Sequence, residues 1–177
     1  MIYEFDGMIP KIDPTTFVSE SATIIGNVEI GKNCYIGPGA VVRGDVPGSK
    51  IWIGDYSVVE DCVVIHGNVS GDVHIGARVT IGHSAVVHCK KLGDYANVGI
   101  GAILSLESEI GDYSVVAEGS VVKSRQIVSD RVVVGGIPAK ELRALSDADI
   151  EAWKTSNEWY EGLTKKCLDP KLFRRID

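Results

Sequence analysis

The chain carries four histidines, His66, His74, His83 and His88, and three of them fall at spacings that a structural period explains. An imidazole that is neutral near pH 7 either accepts a proton or gives a lone pair to a divalent metal. Glu60 and Asp61 precede the first histidine, and Arg43 lies further upstream. His83 and His88 are five residues apart, on the order of 15 Å of extended chain. Zinc draws imidazole nitrogens to roughly 2.0–2.1 Å, so these two rings do not readily share an ion within one chain. Which of the groups meet depends on the element that carries them.

That element is a repeat. Aliphatic residues recur every sixth position, at Ile30, Ile36 and Val42, at Ile53, Val59 and Ile65, and at Ile75, Ile81 and Val87. The series resumes at Val98 and runs through Leu104, Ile110, Val116 and Val122. An α-helix cannot keep that spacing on one face, because six residues turn it through about 600°. A triangular solenoid can, with one short strand and one tight corner per hexapeptide and the aliphatic side chain on the axis. The fold expected is therefore an all-β solenoid, a left-handed parallel β-helix of hexapeptide repeats. Glycine follows the aliphatic at Gly31, Gly37, Gly54, Gly76, Gly82 and Gly111, where it is expected to permit the corner conformation. The phase breaks twice by insertion, around Val46–Ser49 and Asn68–Gly71, and once by a one-residue deletion between Val87 and Leu92. Loops that interrupt a solenoid often carry function.

The phase gives each histidine an address. His66 follows Ile65 and His88 follows Val87, 22 residues apart; removing the four-residue loop leaves about 18, one full coil. Both thus stack on one edge, separated by roughly 4.8 Å. Arg43 follows Val42 and joins the same column. His83 lies on the preceding strand, and Val59 stacks against Ile81, so Glu60 and Asp61 fall near His83. Two copies side by side would bring His83 of one to His66 and His88 of the other, and a triangular prism with such heterologous edges closes as a homotrimer. His74 precedes Ile75, outside both columns, and reads as a surface or structural residue.

The ends and the composition bound the rest. The repeats fade after Val134, and Gly135-Gly136-Ile137-Pro138 is a stop signal. Ser146 and Asp149 resemble a capping box, and Ile150, Trp153, Tyr160, Leu163 and Cys167 follow at helical spacing, interrupted by Asn157. Residues 1–145 are read as the β-helix with its lead-in, and 146–177 as a C-terminal α-helix and tail, the helix running from about 146 to 167. The net charge of -6, with no basic stripe, argues against nucleic acid and anionic membrane as partners. Scattered cysteines, no secretory signal and no run of 18 apolar residues suggest a cytoplasmic protein with reduced thiols.

The stretch Val42-Arg43-Gly44-Asp45, then Glu60-Asp61 with Ile65-His66, then Ile81-Gly82-His83 through Val87-His88, resembles the gamma-class carbonic anhydrases and their relatives. The resemblance covers nearly the whole chain from Phe17. It implies a trimeric left-handed β-helix in which His66, His83 and His88 bind a divalent metal between subunits, zinc or else iron or cobalt. It also implies an interface ion pair of Arg43 and Asp45 near the substrate anion, a site role for Asp61, and, less closely matched, site roles for Asn157 and Tyr160. The pattern departs at two positions: Val58 and Glu60 stand where the family commonly has Asn and Gln. An ionised glutamate only accepts hydrogen bonds, whereas glutamine also donates. Glu60 is thus a candidate to orient a coordinated water, take its proton or approach the metal.

The activity that follows from the resemblance is metal-dependent, reversible hydration of carbon dioxide to bicarbonate, since a bound ion lowers the pKa of water from 15.7 to about 7. Two alternatives remain open. One is a hexapeptide acyltransferase or thioesterase acting on coenzyme A esters, with a histidine as general base. The other is a catalytically silent metal-binding trimer.

Overall fold

The computed structural model describes residues 1–176; Asp177, the last residue of the expected C-terminal tail, lies outside the described residues. Short strands wind into a three-faced solenoid of seven parallel strands on each of two faces and eight strands on the third. The histidine sheet contains Ile2–Tyr3, Thr23–Gly26, Val41–Gly44, Val64–His66, Val86–Val87, Ile103–Leu104 and Val121–Val122. A second sheet runs from Lys11–Ile12 to Ile127–Val128, and the third from Phe17–Val18 through Thr80–Ile81 to Val132–Gly135.

Most strands are two residues long, which leaves one side chain inside and one outside. The inward row of the histidine sheet is Ile24, Val42, Ile65, Val87, Leu104 and Val122, each in register with the next coil and fully buried. Aliphatic side chains stacked at strand spacing make one continuous dry axis from Ala22 to Ala139. This left-handed β-helix is the fold the six-residue period predicts.

The glycines have a different reason from the one expected. Gly31 and Gly54 do not sit in the left-handed region; a Cβ on Gly31 would lie 2.2 Å from Oδ1 of Asp55, and one on Gly54 2.6 Å from the carbonyl carbon of Gly76. Close approach of the next coil excludes a side chain there. The corner residues that do take positive φ are mostly not glycine, among them Tyr56 (61°), Arg78 (55°), Tyr95 (58°) and Tyr113 (58°). Their side chains stack along the edge. The Tyr95 and Tyr113 rings are parallel with centroids 4.7 Å apart, and the Arg78 guanidinium lies 4.5 Å from the Tyr56 ring centre. Such contacts offset the roughly 1–2 kcal/mol that a left-handed residue costs.

The two inserted loops stack at one corner. Asn68 donates its backbone N–H to Oγ of Ser49, which donates to the carbonyl of Gly71. The expected stop at Gly135–Pro138 is the turn of a hairpin, and Lys140–Ala144 returns antiparallel along Val132–Gly135. No repeat or alternation marks that last strand, whose residues are all exposed. It covers the open edge of the third sheet's final coil.

The C-terminal helix spans Asp147–Leu168, with Ser146 as N-cap and the reciprocal Ser146–Asp149 capping box. It packs on the third sheet near Phe17–Val18 and Tyr35–Ile36. Its buried face differs from the apolar stripe expected. Trp153 is 39% exposed, whereas Asn157 and Thr164 are buried along with Ile150. The sheet beneath presents a polar group, and Asn157 Nδ2 donates to Oγ1 of Thr80 at 3.0 Å. Asn157 therefore belongs to the docking face that it was expected to interrupt. Among the described residues, no helix is long and apolar enough to cross a membrane.

Candidate active site

Ladder register places the first column. His66 pairs with Arg43, and Ile65 pairs with Val87, which puts His88 on the next coil beside His66. Nδ1 of His66 and Nε2 of His88 are 3.0 Å apart, with ring centroids at 4.8 Å. Two imidazoles on one tetrahedral zinc ion, at 2.0–2.1 Å each, would hold their nitrogens roughly 3.3 Å apart. The pair therefore fits as two ligands of one ion.

Asp45 sets the orientation of His66. Its Oδ1 lies 3.0 Å from His66 Nε2, while Oδ2 pairs with Nη2 of Arg43 at 2.9 Å. A carboxylate that accepts a hydrogen bond from Nε2–H leaves the lone pair of Nδ1 aimed at His88, the arrangement in which an outer carboxylate fixes a ligand tautomer. Arg43 and Asp45 form this ion pair within a single chain. Partial burial pushes the Asp45 carboxyl up, but hydrogen bonds from Arg43 and His66 outweigh it and hold the group below its ordinary value. His88 is pushed down from the ordinary histidine value of 6.5 by burial, then by the charges of His66 and Arg43. Its ring is thus neutral at neutral pH, as a ligand or a base must be.

The sign of that shift gives a pH prediction. A histidine with a lowered folded value binds fewer protons than the unfolded chain between that value and 6.5, so its contribution to stability falls as pH drops through that window. Activity that needs neutral His88 should decline on the acid side below pH 6.5. A pH–rate profile with its acid limb above 6.5 would assign that limb to another group.

The second column is held differently. His83 sits on the corner after Thr80–Ile81. Its Nδ1 receives the backbone N–H of Asp61 at 3.3 Å, and Oδ2 of Asp61 is 3.6 Å away. Its Nε2 lies 3.1 Å from Oε2 of Glu60, and the same oxygen accepts the His83 backbone N–H at 3.0 Å. Oε1 of Glu60 accepts the hydroxyl of Tyr160 from the C-terminal helix. Burial, then the Glu60 carboxylate, pushes the Tyr160 hydroxyl well above the usual range, so it stays a donor. Asn157 is bonded to Thr80 and reaches the site only through the helix it anchors.

The structure thus gathers the expected residues into two groups: Arg43, Asp45, His66 and His88 in one, Glu60, Asp61, His83 and Tyr160 in the other. Among the described residues, no three His, Cys, Asp or Glu side chains of one chain converge to hold an ion. His74 lies on the second sheet, exposed, stacked on Trp52 with ring centroids 6.4 Å apart. Cys89 adjoins His88, but burial pushes its thiol up to about 12, which rules it out as a nucleophile near neutrality.

One feature of the site escaped the reading by inward aliphatics. The outward row of the histidine sheet is Val41, Val64, Val86, Ile103 and Val121, in register from coil to coil. Val64 and Ile103 are exposed. An apolar stripe therefore runs beside the column that carries His66 and His88. The signal was present as an aliphatic immediately before each inward residue.

Comparison with known proteins agrees with this architecture. The family profile described as "Bacterial transferase hexapeptide (six repeats)" matches residues 10–44. The carnitine operon protein CaiE of Proteus sp. (strain LE138) is 36% identical over 94% of this chain and 83% of its own length. A hexapeptide transferase family protein from Anaplasma phagocytophilum superposes with a TM-score of 0.82 at 35% identity, covering 93% of this chain and 96% of that one. A putative acetyltransferase from Bacillus cereus gives 0.83 at 28% identity, covering 93% and 94%. The chain belongs to the hexapeptide-repeat family of gamma carbonic anhydrase-like proteins that includes CaiE.

Proposed function

We propose that this protein is an acyl-transfer enzyme, moving an acyl group from a coenzyme A ester to water or to a small acceptor at a site shared between copies of the chain. The observation that carries the reading is the His66–His88 pair, 3.0 Å apart and oriented by Asp45. The pair stands on the margin of an exposed apolar stripe. That stripe suits a second copy, and a closed ring of three would set His83 of each copy against His66 and His88 of the next. The relatives lend weight, since the similar structures are described as a hexapeptide transferase family protein and a putative acetyltransferase.

His66, His88 and a neighbouring copy's His83 are the residues that would hold a divalent ion, zinc, iron or cobalt. Such an ion supplies Lewis-acid polarisation of a carbonyl oxygen and an acidified water near neutral pH. The chain's own groups do the rest. Asp45 keeps the proton of His66 on Nε2, away from His88. Arg43, whose side chain is half exposed, offers a guanidinium face to the oxyanion or carboxylate that forms. Glu60 holds His83 through Oε2 and accepts the Tyr160 hydroxyl through Oε1, which favours a holding role over that of a free base.

Hydration of carbon dioxide is the second reading, favoured by the Arg43–Asp45–His66 arrangement and by the family. The absence of a donor at Glu60 counts against it. The test is purified protein loaded in turn with zinc, iron(II) or cobalt(II). Acetyl coenzyme A is supplied with and without amine and alcohol acceptors, and free thiol is followed; carbon dioxide hydration is followed by stopped flow. Thiol release is expected. Hydration alone would favour the second reading, and neither activity under any metal would leave a silent trimer.

A further inference from the structure

We propose that Tyr160 and Glu60 act together as a positioning device for His83, so that the C-terminal helix of each chain determines how well that chain's histidine serves its neighbour. The proposal rests on the reading of His83 as a metal ligand. It begins from where a single carboxylate spends its oxygens. Glu60 is buried, and Oε2 grips His83 twice, through the backbone N–H at 3.0 Å and near ring Nε2 at 3.1 Å. Oε1 accepts the hydroxyl of Tyr160.

Each link is anchored on both sides. Glu60 donates its own backbone N–H to Ile81, two residues before His83. Tyr160 is set on the solenoid by neighbours along the helix: Asn157 bonds Thr80, and Glu161 pairs with Arg78 at 2.6 Å. Its ring leans on Tyr35, with centroids 6.0 Å apart. The second ring nitrogen of His83 is held independently by the Asp61 backbone. Whichever nitrogen takes the ion, the other keeps a partner. A ligand histidine restrained at backbone and ring loses less freedom on binding, and loss of such an outer partner typically weakens metal affinity by roughly 10–100-fold.

This assigns the departure at position 60 a physical meaning. A carboxylate can accept from the tyrosine hydroxyl, the backbone N–H and the imidazole at once, because it presents only acceptors. A glutamine would turn its NH₂ toward one of those donors. Glu60 and Tyr160 are therefore positioning residues.

The experiment compares the wild-type protein with Tyr160→Phe, Glu60→Gln and Glu161→Gln. Cobalt(II) titration is followed by visible absorption, and the imidazole nitrogens of the metal-free proteins are read by ¹⁵N NMR. Glu161→Gln removes a helix-docking contact without touching Glu60. Tyr160→Phe and Glu60→Gln are expected to weaken cobalt binding about 10-fold or more and to change the His83 nitrogen signals. Glu161→Gln, which loosens the docking of the helix but leaves both the Tyr160 hydroxyl and Glu60 in place, is expected to cost clearly less cobalt affinity than either and to change the His83 signals less. Equal losses in Tyr160→Phe and Glu161→Gln would reduce the effect to helix docking and overturn the proposal. Unchanged His83 signals in Tyr160→Phe would overturn it as well. Wild-type protein without a cobalt spectrum would instead sink the metal reading, while the nitrogen signals would still decide whether Tyr160 and Glu60 hold the ring.

Discussion

Mixing His83→Ala subunits with His88→Ala subunits is expected to restore about one quarter of wild-type activity, although each variant alone is inactive. The expectation follows from the division of the candidate residues into two groups, with no three metal-ligating side chains of one chain converging among the described residues. If a site takes His66 and His88 from one copy and His83 from the next, each single variant spoils every site. Losing a group that contributes about 4 kcal/mol of transition-state stabilisation costs roughly 10³-fold in rate. In random mixed trimers, an intact site needs a His83→Ala chain on one side and a His88→Ala chain on the other. With equal proportions that is about one interface in four in a closed heterologous ring. The measurement is thiol release after the two variants are mixed, unfolded and refolded together, with each variant refolded alone as the control. No recovery above the separate variants would show that the three histidines do not form a shared site.

The largest effect on stability should come from the axis of the prism. Ile81 is fully buried and stacks between Val59 and Val98. Ile81→Ala is expected to cost about 2–5 kcal/mol, because coils closed on both sides cannot collapse into the space left. For a chain of this size each kcal/mol lowers Tm by roughly 2–4 °C, so a fall on the order of 10 °C is expected. Ile127, 76% exposed on the second sheet, is the control, and Ile127→Ala should stay within about 0.5 kcal/mol. Urea and thermal unfolding of the metal-free protein measure both. A loss below 1 kcal/mol at Ile81 would contradict the packed axis.

The axis and the first column were legible because a solenoid converts sequence distance into position. Once the loop at Asn68–Gly71 is subtracted, His66 and His88 differ by one coil, and parallel register places them side by side. Other features obey no period. The closing strand Lys140–Ala144 is antiparallel and exposed on every residue, so neither the repeat nor an alternation announces it. Hydrophobic spacing gives Ile150 and Tyr160 on the docking face of the helix but not its polar members, since Asn157 is buried through its bond to Thr80 of the sheet beneath and Thr164 is buried as well. The glycines were assigned to left-handed corners, yet the backbone of the next coil is what excludes a side chain at Gly31. The double grip of Glu60 on His83 depends on a tyrosine one hundred residues away, a distance no local pattern spans.

The stacked loops at Val46–Ser49 and Asn68–Gly71 separate two demands on the chain. Arg43 to His66 contains one of them and His66 to His88 the other, so both lie inside the sequence interval that must return each side chain to the same edge. Length added or removed at these bulges leaves the columns aligned, whereas a single residue gained inside a strand would rotate every later group off its face. Variation in reach and surface around the pair can therefore accumulate at that corner with the alignment of the histidines left intact.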